Sequence, residues 1–269
     1  MARIFSFSFF SFSFFFSSFS FSCVFASPTT KYTGVTTAPF TASTAQVWET
    51  QNLRGRMFSV MPGAAVRFHS AVLPEVTGIT LCLRGLTDKK WMIDDRLQLM
   101  FGERNAFYIT ASSSSEYQLQ VAGSYPYVTF NVNSMVAVRE VSSVWKSRCV
   151  TWDSDSGMAQ LWFDGRMSVR KGVSRGAVFS GQAELSLHQF EGQLSDVYLW
   201  DSVLSTRELY RYLYQLSVPW GGKVLDWTQM EFITSGYVVL EPAYSSRFLA
   251  GPAKRNKQKR MKKRQRQEV

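Results

Sequence analysis

From Arg56 onward the chain alternates apolar and polar residues in short runs. Tyr117-Gln118-Leu119-Gln120-Val121 and Val128-Thr129-Phe130-Asn131-Val132 put every second side chain on one apolar face, the pattern of a strand covered on one side. Ala64–Ser70 and Ile79–Leu83 repeat it, and a final β stretch covers Glu231–Val239. Met158–Phe163 and Arg166–Arg170 flank Asp164-Gly165, residues that tolerate the positive φ of a two-residue type I′ turn, so a hairpin is predicted there. One helix interrupts the strands. Ser205-Thr206-Arg207-Glu208 is a capping box, and Leu209, Tyr212 and Leu213 supply an i, i+3, i+4 face that can pack on a sheet. Strands joined by short polar turns predict an all-β chain, a jelly-roll antiparallel β-sandwich with one short helix.

Composition changes this picture at the two ends. Eleven of the 22 Phe lie in residues 5–25, so the aromatic fraction of 15% overstates the aromatic content of the body. The net charge of +10 is equally uneven. Of 30 basic and 20 acidic residues, nine and one lie between Lys254 and Val269, which leaves 21 against 19 elsewhere. The nine cations are Lys254, Arg255, Lys257, Lys259, Arg260, Lys262, Lys263, Arg264 and Arg266. Dense like charge without apolar periodicity cannot build a core, so this tail is expected to be disordered and to attract polyanions: sulfated glycans, anionic lipid surfaces or nucleic acid.

The N-terminus has the parts of a secretory signal. Met1-Ala2-Arg3 precedes a Phe/Ser run, and Val24 and Ala26 are the small residues expected before a cut after Ala26. An uncleaved anchor and a stretch without a role are the other readings. No later segment has the ~20 consecutive apolar residues of a membrane span. The expected organisation is a signal at 1–26, a Thr/Ser-rich linker at 27–55, a sandwich at 56–243 and a polybasic tail at 244–269. Cys82 and Cys149 are the cysteine pair of the body. In an oxidising compartment they are expected to form a disulfide, and in the cytosol two thiols. A cytosolic or nuclear chain would instead bind RNA through the basic tail.

Several segments in order resemble the pentraxin family. Cys149, Thr151, Trp152 and Ser154 match its signature, with Ser147 in place of the histidine. Ser156-Gly157 leads into Leu161-Trp162-Phe163-Asp164-Gly165, and Thr80-Leu81-Cys82-Leu83 resembles the strand that carries the partner cysteine. Gly192-x-Leu194-x-x-Val197-x-Leu199-Trp200-Asp201, Val203-Leu204-Ser205 and Val224-Leu225-Asp226-Trp227 follow in family order. The resemblance implies a jelly roll with the helix on one face, a ring-shaped homo-oligomer (a pentamer), and two calcium ions on the opposite face that hold phosphate-bearing or carbohydrate ligands. The Cys82–Cys149 bridge is expected to join the two sheets. The calcium site departs from the family. Glu103-Arg104-Asn105 places Arg104 where an Asp is expected, and Leu187-His188-Gln189 runs directly into Phe190-Glu191-Gly192, so an acidic loop is missing. Calcium needs six to eight oxygen ligands. Glu103, Asn105 and Glu191 are the remnants, and no cofactor is expected to bind them.

Chemistry of other kinds finds little support. No strand carries a Glu-x-Asp-x-Glu set for glycoside hydrolysis, and no nucleophile elbow or phosphate loop occurs. Asp153 and Asp155 adjoin Ser156-Gly157 and read as a solvated turn; His188 reads as an outward or edge histidine. Trp152, Trp162, Trp200 and Trp227 read as core, and Trp91 beside Lys89-Lys90 and Tyr125-Pro126-Tyr127 as surface candidates. The reading is a secreted, non-enzymatic recognition protein that binds anionic or carbohydrate/phospholipid surfaces in innate defence.

Overall fold

A computed structural model describes residues 47–87, 96–113, 115–123, 125, 127–137, 145–214, 218 and 223–244. They form the expected antiparallel sandwich of two sheets. The first runs in the order β1 (Glu49–Gln51), β17 (Met230–Ser235), β3 (Ala65–Val76), β14 (Phe179–His188), β5 (Arg96–Phe101), β6 (Arg104–Ser113), β7 (Glu116–Val121), β8 (Val128–Asn131). The second runs β18 (Val238–Pro242), β2 (Arg56–Val60), β15 (Gly192–Trp200), β4 (Gly78–Leu86), β10 (Lys146–Asp153), β11 (Met158–Phe163), β12 (Arg166–Met167), β9 (Val136–Ala137). Beside this path, β13 (Lys171–Gly172) pairs with β11 and β16 (Lys223–Leu225) with β15.

Alternation decides which face each strand buries. In β7, Tyr117, Leu119 and Val121 are buried while Glu116, Gln118 and Gln120 stay half-exposed. The inward residues of the two sheets meet as aromatic clusters. Phe58 contacts Phe68, Trp227 and Phe232 at ring-centroid distances of 5.9, 5.8 and 4.9 Å. Trp152 packs on Phe107 and Phe179 at 6.3 and 5.5 Å. Trp152, Trp162, Trp200 and Trp227 are all buried, and each large apolar side chain removed from water contributes roughly 1.5–3 kcal/mol. The hairpin turn is as predicted: Asp164 and Gly165 have φ of 47° and 75°.

Three boundaries differ from the pattern. Strand pairing begins at Glu49, and Leu53 is fully buried with its N–H bonded to Trp227 O at 2.9 Å, so the sandwich starts ahead of Arg56. Arg166–Arg170 pairs only at Arg166 and Met167 before the chain shifts to Lys171–Gly172. The stretch Glu231–Val239 is two strands, not one. Gly236 turns the chain at φ 73°, where a Cβ would lie 2.9 Å from Ala64 Cα. β17 therefore joins the first sheet and β18 the second.

The helix α1 (Thr206–Leu213) forms where the capping box placed it. Ser205 Oγ accepts from Glu208 N at 3.3 Å, and Glu208 Oε2 accepts from Ser205 N at 2.8 Å. The Ser205 hydroxyl also donates to Glu208 Oε2, at 2.7 Å, and this bond together with that from Ser205 N holds the Glu208 carboxyl below its usual pKa. Leu209, Tyr212 and Leu213 are buried against the second sheet, on the side away from the core.

Cys82 and Cys149 are bonded, with Cα atoms 4.1 Å apart. They stand directly opposite each other on the neighbouring strands β4 and β10. The bridge therefore lies within one sheet and does not join the two, which corrects the expectation. Its short Cα separation is that of a narrow, non-hydrogen-bonded antiparallel pair. Because Leu81, Leu83 and Val150 face the core, the alternating cysteines face the side the helix covers.

Under the same cover lies Arg84, buried on β4. Its Nη1 donates to Asp196 Oδ2 at 2.6 Å, Nε to Ser147 Oγ at 3.3 Å, and Nη2 to Tyr212 O; the guanidinium sits 4.4 Å from the Tyr212 ring centroid. Asp196 reaches this position through a bulge. One extra residue separates Ser195 from Tyr198 relative to Arg84 and Cys82, and Asp196 itself has φ 51°. Burial works against the Arg84 charge, but Tyr212, Asp196 and Tyr198 together more than offset it and the pKa stays above its ordinary value. Burial pushes the Tyr212 phenol well up, so its O–H remains a donor, to Asp196 O at 2.7 Å.

Candidate functional site

The outer face of the first sheet has no helix over it among the described residues. Directly opposed residues share a face, so the strand registers define rows across it. One row runs Glu231, His69, Glu184, Met100, Asn105 over β17, β3, β14, β5 and β6. His69 Nε2 contacts Glu231 Oε2, and the Trp48 ring stacks on the imidazole with centroids 3.6 Å apart. Arg67, one outward position along β3, lies 3.4 Å from Glu184 and 5.9 Å from the Trp48 centroid. This end of the face is charged. Toward β6 and β7 it becomes amide and hydroxyl: Gln98, Tyr108, Gln118 and Gln120 are half-exposed. The outward direction of Arg67 and His69 was legible in the alternation of β3. Their partners were not, because register is a long-range property.

The remnants of the calcium site fall on this face and its rim. Glu103 and Asn105 are exposed at the turn into β6, and Asn105 Oδ1 already accepts from the Gln98 amide. Arg104 Nη1 donates to Val178 O at 3.3 Å and its guanidinium lies 6.0 Å from the Phe179 centroid. Glu191 is elsewhere. Asn105 is level with Met100 and Glu184, whereas His188 is level with Arg96, so the turn bearing Glu191 leaves β14 at the other end of the ladder. Four residues of strand span ~13 Å. Among the described residues no group of three or more His, Cys, Asp and Glu is placed to hold a metal. Two scattered carboxylates, one amide already in use and a guanidinium do not fit a cation that needs six to eight oxygens.

Other candidates fall in bland positions. Asp153 Oδ2 accepts from Ser156 N at 3.0 Å and from Ser156 Oγ; these bonds cap the turn and lower the carboxyl pKa. His188 is exposed at the end of β14. Tyr125 and Tyr127 are exposed and meet edge to face at 5.9 Å. Lys89, Lys90 and Trp91, the N-terminal segment, and the tail cations Lys254–Arg266 lie outside the described residues.

One face of this antiparallel sandwich lies under a helix and a disulfide, and the other is polar and, among the described residues, carries no helix. The comparisons give the chain a family. The sequence profile of the Pentaxin family matches residues 65–242, and this chain belongs to that family. The serum amyloid P-component of Sus scrofa is 28% identical over 220 residues, covering 75% of this chain and 93% of that one. For the serum amyloid P-component of Homo sapiens the identity is 27% over 209 residues, with 71% and 89% covered. The C-reactive protein of Xenopus laevis is 26% identical over 213 residues, with 71% and 85% covered. Among solved structures, the native heptameric SAP-like pentraxin from Limulus polyphemus superposes with a TM-score of 0.56 at 18% identity, over 72% of this chain and 97% of that one.

Proposed function

We propose that this chain is a secreted, non-enzymatic pentraxin-type recognition protein that binds anionic or carbohydrate- and phospholipid-bearing surfaces in innate defence, as a homo-oligomer. Family membership supports the recognition role, and the heptameric Limulus relative supports assembly. The Cys82–Cys149 bridge supports an oxidising compartment, and with it a signal at 1–26. A linker then precedes a sandwich whose strand pairing begins at Glu49, and a polybasic tail at 244–269 follows it. Asp153 capping a turn and His188 at an exposed strand end support the non-enzymatic reading.

The observation that carries the choice of ligand is the distribution of charge. Nine cations and one acid stand between Lys254 and Val269, while the remainder has 21 basic against 19 acidic residues. Anion recognition is therefore assigned to the tail, without calcium as a bridge. Cations that engage a polyanion release condensed counterions, so log affinity falls linearly with log salt. With about five contacts the slope is about −3.5 to −4.5, by analogy with nucleic acids. Deletion of everything after Pro252 is expected to abolish heparin retention at physiological salt and to leave the melting temperature unchanged. Retention by the truncated protein with the same slope overturns the assignment and moves the anion site to the sandwich, with Lys89, Lys90 and Arg104 as its first candidates.

A further inference from the structure

A groove of about 250 Å³ lies where the edge strand β8 meets the segment 168–171. Glu116, Asn131 and Ser134 line one side, and Ser168, Val169 and Lys171 the other. Glu116 and Asn131 are directly opposed on β7 and β8, so their side chains leave the sheet side by side, ~5 Å apart at Cβ. Asn131 Oδ1 accepts from Asn133 N at 2.9 Å, which fixes the amide and leaves Nδ2 as the group on offer. Neither that Nδ2 nor the Glu116 carboxylate bonds to another described residue. Lys171 Nζ gives one donor to Thr129 O at 2.5 Å and has two more.

The groove holds one carboxylate and one ammonium, so its fixed charges offset and a ligand of either net sign gains little net attraction. An uncharged ligand with donors and acceptors on adjacent carbons can use both groups as hydrogen-bond partners. A hydroxyl can donate to Glu116 and accept from Asn131 Nδ2, and its neighbour can accept from Lys171 Nζ. Val169, with 67% of its surface exposed, gives the C–H face of a ring an apolar wall. We propose that this groove binds a pyranose residue of an uncharged glycan through a vicinal pair of hydroxyls, without calcium. It is a second site, separate from the tail, and gives the carbohydrate part of the proposed function a place on the sandwich.

The test uses the full chain in EDTA and 0.5 M NaCl, which screens the tail. Immobilised cellohexaose, maltohexaose, chitohexaose and mannohexaose are the probes. At least one hexaose is expected to be retained, and Glu116→Gln and Asn131→Asp are each expected to weaken it about ten-fold, the loss of one charge-assisted or well-placed hydrogen bond. Both substitutions nearly preserve shape, and Asn131→Asp keeps the acceptor that Asn133 N–H uses. Amide hydrogen exchange on the unmodified chain gives a second readout: the bound hexaose should slow exchange at 128–134 and 168–172 and not at 182–186. Retention of no hexaose, variants that bind like wild type, or protection confined to other strands overturns the proposal. Loss of heparin binding on tail deletion is read at physiological salt and is independent of all these outcomes.

Discussion

The two outer faces of this sandwich are built from the same alternation and end in opposite states. The face of the second sheet is sealed: α1 lies over it, Cys82 and Cys149 are bonded beneath, and Arg84 is buried among Asp196, Ser147 and Tyr212. On the first sheet, Arg67, His69, Glu184, Glu231, Gln98 and Asn105 are held mainly by one another at the surface. The same kinds of polar group carry different energies on the two faces. A charge without water depends on every partner it has, whereas an exposed ion pair is worth ~0–1 kcal/mol. The sealed face is where stability resides, and the open face can change its chemistry at little cost to the fold. That is how Arg104 can occupy a position where the family resemblance implies an Asp.

The largest effect expected from breaking this contrast is at the disulfide. Cys82 and Cys149 are 67 residues apart, and the chain-entropy account gives ~4 kcal/mol for closing such a loop. The double variant Cys82→Ala/Cys149→Ala should lose about that much in denaturant unfolding; a loss below 1 kcal/mol contradicts the role given to the bridge. Next is a matched pair of charges. Arg84→Ala should cost ~3 kcal/mol, toward the lower end of the range for breaking a buried pair because Asp196 keeps partial access to water. Glu231→Gln on the open face should cost under ~1 kcal/mol. Equal losses for the two would erase the distinction between the faces.

What the sequence could reveal divides along the line between local and long-range order. The Asp164-Gly165 turn, the Ser205 capping box and the alternation of β7 are set by neighbours within a few residues, and each formed where read. The two-sheet path of Glu231–Val239 was hidden because both halves are β-forming and only Gly236, pressed against Ala64, reveals the crossing. Cys82 and Cys149 were legible as a pair, but their shared sheet depends on the β4–β10 register, which no local pattern contains. The bulge that turns Asp196 toward Arg84 left no local mark either. At the candidate site, Glu103, Arg104, Asn105 and Glu191 were identifiable as residues. Their separation along the β14–β5–β6 ladder is a fact of register alone.

The central claim is that the open face keeps the family's sheet without its metal-binding chemistry, and a calcium titration followed by thermal melting tests it most directly. Any ion that binds the folded chain raises its stability by RT ln(1 + [L]/Kd), so a site with micromolar affinity gives ~4 kcal/mol at a thousand-fold excess. The expected result is a melting temperature unchanged between EDTA and 10 mM calcium. A saturable rise of several degrees, reversed by chelator, contradicts the account.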